Sequence, residues 1–350
     1  MADLDPDELK AFALEAGLDA VGIAPAAPFD GTRADLEERK AAGLHAGMAF
    51  TYRNPAASTS PERALPGAKA LVVGAMAYST APDARPEGAG PLGRVAAYAR
   101  DDRYAELKNA LRAVARRLKA GGWKARVVAD DNALVDREAA KRAGLGWYGK
   151  SANLLLQGRG SWFVLGSVIT TAPLAAEPLE VADGCGSCRR CLDGCPTGAI
   201  VAPGVVDARR CLSWLLQQPG TFPVEHRAAL GDRIYGCDDC QEVCPPNRRG
   251  GDAADIGGST WVSLLDLLDA DDDTLLDRFG RWYIHERDPR WLRRNALVAL
   301  GNTATADATD VLDAIEHYRA GDDDLLAEHA AWAVARIESR TLVPEPGSAR

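Results

Sequence analysis

Hydrophobic and polar positions in the first half of the chain alternate between a helical period and short apolar runs. Residues 7–16 predict an amphipathic helix, and a second helix is predicted by an apolar stripe at helical spacing, formed by Leu107, Leu111, Val114 and Leu118. Apolar runs predict strands at residues 20–23, 70–76, 126–129 and 162–171. Helices that alternate with buried strands predict an α/β domain, with boundaries at residues 1–176.

A glycine-rich segment interrupts this pattern at residues 88–93, where the spacing matches the G-x-G-x-x-G motif of dinucleotide-binding proteins. The motif requires a strand directly before it and a helix directly after it. Here Pro82, Pro86 and Pro91 surround the glycines, and Pro91 would remove an amide that faces phosphate. We therefore predict a loop rather than a dinucleotide site.

The second half of the chain divides into a region rich in cysteine, glycine and proline and a helical region. Residues 177–250 are typical of a small domain that is stabilised by metal centres, and residues 250–259 are typical of a linker. Beyond the linker, the run 296–300 is echoed by the run 330–334, an offset of 34 residues (330 minus 296). The echo predicts stacked, HEAT-like helical pairs in a third domain, residues 251–350.

Composition places the chain among ordinary globular proteins. Its 350 residues are 47% hydrophobic, which is enough for two or three packed domains. No apolar run reaches the roughly 20 residues of a membrane span, and the acidic first residues lack a signal-peptide pattern. Cysteines that are clustered rather than scattered agree with a reducing compartment. We expect a cytoplasmic monomer.

All eight cysteines lie between residues 185 and 244, and their spacing predicts two iron-sulfur clusters. The first run, C-x2-C-x2-C-x3-C-P, has the spacing of bacterial ferredoxins with two 4Fe-4S clusters, in which the fourth cysteine ligates the other cluster. One cluster is therefore predicted on Cys185, Cys188, Cys191 and Cys244. The other cluster is predicted on Cys195, Cys211, Cys237 and Cys240.

Two alternatives remain open for these cysteines. A pair of four-cysteine zinc sites also uses C-x2-C pairs, although a triple run with two Cys-Pro ends fits zinc poorly. Cys211 taken alone is also explained as a small buried residue on an apolar helix at residues 208–216, but the total of eight cysteines favours its role as a ligand. Low-potential clusters transfer single electrons, so we predict that they feed a redox reaction in the α/β domain.

The cysteine-containing segments at residues 185–200, 207–213 and 233–245 resemble the epoxyqueuosine reductase family. The segments 143–150 and 293–300 agree with the same family, so the resemblance extends over nearly the whole chain. It implies an enzyme that reduces the epoxide of epoxyqueuosine at the tRNA wobble position to queuosine and releases water. It also implies a cobalamin-binding α/β domain, a ferredoxin-like domain with two 4Fe-4S clusters, a helical-repeat domain that contacts tRNA, and an external low-potential electron donor.

Asp130 follows the strand predicted at residues 126–129, and residues at the carboxyl ends of strands in open α/β sheets commonly face the ligand crevice. The resemblance implies that Asp130 is the acid that protonates the departing oxygen. The family pattern Val-Asp-Thr reads Ala-Asp-Asp here, before Asp136 and Arg137, so that Asp131 replaces the threonine. A second carboxylate next to Asp130 is expected to raise its pKa through like-charge repulsion. The alternative is that Asp130 caps the following helix.

The resemblance also implies contacts with the corrinoid, at Asp102, Tyr104, Arg137, Lys150, Leu154, Leu165 and Ser213. The Asp-Tyr-His of the family reads Asp-Arg-Tyr at residues 102–104, so the histidine is absent. Arg137 and Lys150 suit the phosphate or amide groups of a corrinoid, with a solvated helix face as the alternative. The histidines show no metal-ligand spacing, and we expect no histidine ligand to cobalt.

A formal net charge of -9 opposes broad, nonspecific binding of nucleic acid. Residues 278–294, however, contain six arginines and two acidic residues, with Trp282, Tyr283 and Trp291 interleaved. Arginines and aromatic rings are commonly combined in RNA-loop binding, so we predict tRNA contacts at Arg281, Arg290 and Arg294. The alternative is that these arginines pair with the acidic runs at residues 271–273 and 322–324.

Two other functions compete with this interpretation. A corrinoid iron-sulfur reductive dehalogenase-like reductase is the nearest enzymatic alternative, but such enzymes typically carry a twin-arginine leader, and the first residues here show none. A plain ferredoxin-type electron carrier is the alternative from another class, and the ligand-sized α/β domain disfavours it. Retention of cobalamin on purification would separate a carrier from an enzyme.

Overall fold

The computed structural model describes residues 5–78, 83–88, 90–175, 181–249 and 258–341. Within these ranges the strands are β1 (Ala20–Pro25), β2 (Ala70–Ala77), β3 (Leu92–Val95), β4 (Ala125–Val128), β5 (Gly146–Tyr148), β6 (Leu154–Leu156), β7 (Phe163–Thr170), β8 (Ile200–Ala202), β9 (Val205–Val206), β10 (Arg233–Tyr235) and β11 (Trp261–Ser263). The first α-helices are α1 (Pro6–Glu15), α2 (Asp30–Ala41), α3 (Pro55–Ser58), α4 (Pro61–Ala64), α5 (Arg103–Ala120), α6 (Asp136–Arg142), α7 (Arg190–Asp193) and α8 (Leu212–Leu215). The remaining α-helices are α9 (Val224–Leu230), α10 (Asp239–Glu242), α11 (Pro245–Arg249), α12 (Leu264–Asp269), α13 (Asp272–Phe279), α14 (Arg290–Thr303), α15 (Thr309–Arg319) and α16 (Asp324–Thr341).

The chain forms two compact units. The first unit comprises Met1–Thr80, Asp101–Arg209 and Asp239–Ile256, and the second comprises Ala81–Arg100, Arg210–Asp238 and Gly257–Arg350. The region predicted as the iron-sulfur domain therefore contributes residues to both units. The three predicted domain boundaries stay predictions. Residues 250–257 of the predicted linker lie outside the described residues.

The first unit is built on a four-stranded sheet in the order β1-β2-β7-β4, and every neighbouring pair is antiparallel. The central strands β2 and β7 are buried along nearly their whole length because helices cover both faces. Helix α5 packs on one face, where Leu111 lies against Gly166, and α6 packs on the other, where Ala143 lies against Gly22. The predicted strands and the first predicted helix of this half are confirmed to within two residues, and the predicted apolar stripe lies on α5.

The antiparallel arrangement differs from the sheet that the sequence argument assumed. That argument placed Asp130 at a ligand-binding edge through the rule for parallel α/β sheets, in which ligands bind at the carboxyl ends of the strands. Because β4 runs antiparallel to β7, the rule does not apply to this sheet. The position of Asp130 has to be argued from its own contacts.

The second unit combines a three-stranded sheet, in the order β10-β3-β11, with helices α12 to α16 around one apolar core. Gly93 lies within β3, where an added Cβ would meet Leu264, so the predicted loop at residues 88–93 is wrong at its end. The two echoed runs lie on α14 and α16, which pack so closely that an added Cβ at Gly301 would be 2.8 Å from Cα of Ala333. The echo thus marks the buried faces of two packed helices, and the HEAT-like assignment stays a prediction.

None of the helices in the described part of the chain is both long enough and apolar enough to cross a membrane.

Candidate active site

The first predicted set of four cysteines faces one cavity in the first unit. The cavity has a volume of about 90 Å³ and is lined by Trp147 and Lys150 and by Cys185, Cys188, Cys191 and Cys244. Burial, together with the nearby Cys185, Cys191 and Cys188 thiols, raises the pKa of Cys244 to about 11. Burial and the Cys185 thiol likewise raise the pKa of Cys191. Four thiols gathered in this way need a positive centre before they can ionise together, which is what a metal cluster provides.

The spacing of these thiols bears on the zinc alternative. Among the described residues, no three histidine, cysteine, aspartate or glutamate side chains converge closely enough to hold a single metal ion. Each thiolate of a 4Fe-4S cluster binds a different iron, so its ligands lie farther apart than the four ligands of one zinc ion. The cysteine spacing, a triple C-x2-C-x2-C run with Cys-Pro ends, is what favours clusters over zinc.

Lys150 fixes the loop that carries the first two cysteines. Its Nζ donates hydrogen bonds to the carbonyl oxygens of Gly186, at 2.6 Å, and of Cys188, at 2.9 Å. Within the same loop, the backbone N–H of Cys188 donates to the carbonyl oxygen of Cys185 at 2.9 Å. Lys150 was predicted to contact the corrinoid. In the structure its ammonium donates to the backbone of the cysteine loop.

The second predicted set is divided between the units, with Cys195 and Cys240 in the first and Cys211 and Cys237 in the second. Two donors reach sulfur within the first unit. The backbone N–H of Ala199 lies 3.2 Å from Sγ of Cys195, and Nδ2 of Asn153 lies 3.9 Å from Sγ of Cys240. Hydrogen bonds of this kind stabilise thiolate ligands and adjust cluster potential.

Cys211 is half-buried and directly precedes α8 rather than lying inside a helix. The alternative of a buried residue within an apolar helix therefore does not describe it. All eight cysteines are free of disulfide bonds.

The amide side chains of Gln241 and Asn247, in and just after the second cysteine run, form hydrogen bonds with Ser161, which lies just before β7. The backbone N–H of Ser161 donates to Oδ1 of Asn247 at 2.6 Å, and Nε2 of Gln241 lies 3.1 Å from Oγ of Ser161. Gly160 has a φ of +75° and no room for a Cβ, which would lie 2.0 Å from Oδ1 of Asn247. The sheet and this cysteine run are therefore held together by a close backbone approach that requires glycine.

Asp130 occupies the turn that follows β4, with a left-handed backbone at φ +53°. Its backbone N–H donates to Oδ2 of Asp136 at 3.2 Å. Helix α6 begins at Asp136 and has Val135 as its N-cap, so the alternative role of Asp130 as a helix cap is wrong. Burial raises the pKa of the Asp130 carboxyl, Lys108 lowers it, and Asp131 raises it by a smaller amount. The expected direction of the Asp131 effect is confirmed, but burial is the main cause.

A second carboxyl and a phenol lie beside Asp130. Burial raises the pKa of Asp136 well above its usual range, and Asp130 and Asp131 raise it further. Oδ1 of Asp136 is buried and has no hydrogen-bond partner among the described residues. Burial, followed by Asp130 and Asp136, raises the pKa of the Tyr104 phenol. The arrangement disfavours negative charge, so Asp130 retains a proton to higher pH than an ordinary aspartate.

The other residues assigned to the corrinoid have varied surroundings. Asp102 is the N-cap of α5 and accepts the N–H of Ala105 at 3.0 Å. Leu154 and Leu165 lie in the hydrophobic core between the sheet and α6. Ser213 lies in α8 of the second unit, where its carbonyl oxygen accepts from Gln217.

Arg137 differs from these residues because its side chain is exposed and makes no hydrogen bond or ion pair with any described residue. Sequence reasoning missed the phenols around it. Burial raises the pKa of Tyr52 and of Tyr148, and Arg137 is among the charges that lower each. A free guanidinium next to several phenols can bind an anionic or amide-bearing group.

The predicted tRNA-binding arginines do not form one exposed patch. Arg294 is fully buried and donates to the carbonyl oxygens of Leu215, Gln218 and Gly220, so its assignment to tRNA is wrong. Arg290 is ion-paired with Asp288 at 2.9 Å and with Asp323 at 3.5 Å.

The alternative of pairing with the acidic runs is correct for two arginines, since Arg290 pairs with Asp323 and Arg293 pairs with Asp272. Trp282 and Trp291 are buried, whereas Tyr283 is 51% exposed. Arg281 is exposed and donates one hydrogen bond to the carbonyl oxygen of Arg100. Of the predicted RNA-binding side chains, Arg281 and Tyr283 therefore remain exposed.

Comparison with known proteins adds family relationships to this geometry. Residues 184–247 match the family described as a 4Fe-4S double cluster binding domain. The epoxyqueuosine reductase of Vibrio cholerae is 33% identical over 97% of this chain and 93% of that protein. The epoxyqueuosine reductase of Xanthomonas campestris is 35% identical over 94% of this chain and 95% of that protein.

Two solved structures are similar over nearly the whole chain. One is an epoxyqueuosine reductase with a tRNA-Tyr epoxyqueuosine-modified stem loop, with a TM-score of 0.87 and 30% identity over 95% of this chain and 89% of that one. The other is the epoxyqueuosine reductase of Bacillus subtilis with an aspartate-bearing catalytic loop swung out of its active site. Its TM-score is 0.86, at 30% identity, and the match covers 95% of this chain and 90% of that one.

Proposed function

The chain belongs to the epoxyqueuosine reductase family, and we propose that it reduces the epoxide of epoxyqueuosine at the wobble position of tRNA to queuosine. It is an oxidoreductase with a 4Fe-4S double cluster domain. The reaction takes up two electrons and two protons, breaks both carbon–oxygen bonds of the epoxide, leaves a carbon–carbon double bond and releases water. The observation that carries the proposal is the presence, in one compact unit, of a cavity lined by four cysteines and a turn in which Asp130, with a raised pKa, is hydrogen-bonded to Asp136.

The eight cysteines supply the electron-transfer part of this function. Clusters held by two sets of four thiolates pass electrons singly, which suits a reduction that is fed by an external low-potential donor. Lys150 keeps the loop of Cys185 and Cys188 in place through two backbone carbonyls. The physiological donor, the monomeric state and the cytoplasmic location stay predictions from the sequence.

We propose cobalamin as the third cofactor, which when bound would supply a reduced cobalt that acts on the epoxide carbon. The exposed guanidinium of Arg137 supports this assignment, because it has no ion-pair partner among the described residues and suits the phosphate or amide groups of a corrinoid. The other predicted corrinoid contacts stay predictions: Asp102, Tyr104, Lys150, Leu154, Leu165 and Ser213. Of these, Lys150 also donates to the cysteine loop, and Leu154 and Leu165 also pack in the core.

In this proposal, Asp130 donates to the departing oxygen one of the two protons that the reaction takes up. A general acid must hold its proton near neutral pH, and burial of the carboxyl raises its pKa in that direction. Asp131 accepts the backbone N–H of Ala133 at 2.6 Å, so its carboxylate shapes the turn. The two neighbouring aspartates thus have separate roles.

For tRNA binding, we propose that Arg281 contacts phosphate and that Tyr283 stacks on an unpaired base. Both side chains are exposed, and this pair of residue types is common in RNA-loop recognition. The similar enzyme that was crystallised with an epoxyqueuosine-modified stem loop supports a stem-loop substrate. Arg294 has no part in this contact because it is buried.

The decisive experiment is an assay of queuosine formation on an anticodon stem-loop that carries epoxyqueuosine, with cobalamin and a strong reductant. We expect turnover by the wild type and a loss of roughly 10²- to 10⁴-fold in Asp130→Asn, the range for a missing general acid. Asp131→Asn keeps the acceptor for Ala133 and should stay within about tenfold of the wild type. Full turnover by Asp130→Asn would remove Asp130 from the catalytic role, and no product from the fully loaded wild type would contradict the function.

A further inference from the structure

The turn at residues 130–136 contains a backbone conformation that is uncommon outside glycine, although aspartate tolerates it better than most residues. A non-glycine residue rarely adopts a positive φ, and Asp130 does so at +53°. Such a conformation persists only when the surrounding contacts determine it. The contacts of this turn therefore show what holds Asp130 in place.

Three side chains of the turn make hydrogen bonds to backbone N–H groups. Asp131 accepts from Ala133 at 2.6 Å, and Asn132 accepts from Thr51 at 2.7 Å. Asp136 accepts from Asp130 itself, at 3.2 Å. Within the described ranges, Asp136 is thus the residue of the turn that holds the backbone of Asp130 directly.

The carboxyl of Asp136 has surroundings that favour its neutral form. Oδ2 has a donor, but the buried Oδ1 has no hydrogen-bond partner within the described ranges. Burial is the main cause that raises its pKa, and the carboxyls of Asp130 and Asp131 raise it too, while the Asp130 N–H and the guanidinium of Arg137 lower it. From α5, the Tyr104 phenol also lies near it. A buried carboxylate with one oxygen unsatisfied is costly, whereas a carboxylic acid in the same place carries no net charge.

We propose that Asp136 is a positioning residue for the catalytic acid, which accepts the Asp130 N–H and so keeps Asp130 in its left-handed conformation. The inference rests on the proposed role of Asp130 and deepens it. Asp136 makes no contact with substrate in this scheme and acts through Asp130 alone. Loss of its acceptor oxygen would let the turn relax and move the Asp130 carboxyl away from its working position.

The test compares Asp136→Asn with Asp136→Leu. Asparagine keeps a carbonyl oxygen for the Asp130 N–H and cannot ionise, while leucine has a similar size and no acceptor. Asp30→Asn is the matched control, because Asp30 is also the first residue of a helix in the same unit and is exposed.

With the stem-loop assay we expect kcat of the leucine variant to fall roughly 10- to 100-fold, the effect of one lost buried hydrogen bond, while KM stays within about threefold. The asparagine variant should keep kcat within about threefold of the wild type. Asparagine does not titrate. Any fall in the kcat of the wild type at high pH that comes from ionisation of Asp136 should therefore be absent in the asparagine variant.

Hydrogen exchange of the amides at residues 130–134 is the readout that requires no turnover. We expect exchange about tenfold faster in the leucine variant, with wild-type exchange in the asparagine and control variants. Should the leucine variant fail to fold, Asp136→Ala is measured with the same expectation.

Two results would overturn the inference: wild-type kcat and exchange in the leucine variant, or equal losses of kcat in the leucine and asparagine variants. If the wild type forms no queuosine but the exchange differences appear, the proposed function fails while the positioning by Asp136 stands.

Discussion

Arg294 offers a direct test of whether the arginines of α14 serve stability or RNA. Its side chain is 0% exposed, and its guanidinium donates to the carbonyl oxygens of Leu215 at 2.9 Å, Gln218 at 2.8 Å and Gly220 at 2.7 Å. It also donates to Oδ1 of Asn295 at 2.8 Å. Burial and the nearby Arg227 together lower the pKa of Arg294 to about 9. Because this value is still above 7, the guanidinium is charged at neutral pH. A buried cation that satisfies three carbonyls is a structural element of the second unit.

Replacement by methionine keeps the apolar stem and removes every donor. Each buried carbonyl that loses its partner costs about 1–2 kcal/mol, which for three carbonyls gives about 3–6 kcal/mol. Removing the buried charge also removes its desolvation penalty, which offsets this loss of stability by on the order of 1–2 kcal/mol. We therefore expect Arg294→Met to lower the free energy of unfolding by about 2–4 kcal/mol, which corresponds to a fall in Tm of roughly 5–15 °C for a unit of this size.

Thermal and urea unfolding measure this change, and Arg281→Met is the matched control because Arg281 is exposed, although it also donates to the carbonyl oxygen of Arg100. The control should change the free energy of unfolding by less than about 1 kcal/mol. In stem-loop binding we expect the opposite order, with the larger effect in the Arg281 variant. Arg281→Met should lower the slope of log affinity against log salt by roughly 0.7–0.9, and folded Arg294→Met should keep the wild-type slope. Wild-type stability together with a reduced salt slope in Arg294→Met would refute the reasoning.

Three further predictions follow from other contacts. Lys150→Met should lower the iron content of the purified protein by roughly half, because the loop of Cys185 and Cys188 loses both of its donors, and iron analysis against exposed Lys141→Met checks this. Asp102→Ala should lower the free energy of unfolding by about 1 kcal/mol through loss of the α5 cap, without changing cobalamin retention if the residue only caps the helix. Because burial raises the pKa of Asp136 in the folded state, its ionisation costs stability, so the free energy of unfolding should fall as pH rises from the unfolded pKa of about 4 towards the raised value. Urea titrations of Asp136→Asn should lack this decline, and an identical decline in that variant would show that another group causes it.

The features that sequence alone predicted correctly are those that depend on local pattern. Apolar runs locate the strands because a buried strand must be apolar wherever it is covered, and β2 and β7 are covered on both faces. Cysteine spacing grouped Cys185, Cys188, Cys191 and Cys244, and their thiols face one cavity. The burial of Arg294 was also readable in principle, since it lies three residues from both Trp291 and Leu297, on the buried side of α14. The prediction that Arg294 binds tRNA was wrong because it counted the charges of residues 278–294 without considering which side of the helix each residue occupies.

The acid of the active site shows where local pattern stops being sufficient. The sequence attributed a raised pKa of Asp130 to Asp131, the adjacent charge, whereas burial in the folded turn is the larger cause. The neighbours that create this environment include Asp136, which holds the backbone of Asp130, and Tyr104, which α5 brings from 26 positions earlier (130 minus 104). These neighbours are brought together by tertiary packing, which a local sequence pattern does not show. Asp131 has a small effect on the pKa of Asp130, and its hydrogen bond to the Ala133 N–H shapes the turn. A threonine there, as in the family pattern, also has a side-chain oxygen that can accept the Ala133 N–H. Position 131 can therefore differ between relatives while the protonation of Asp130 is preserved.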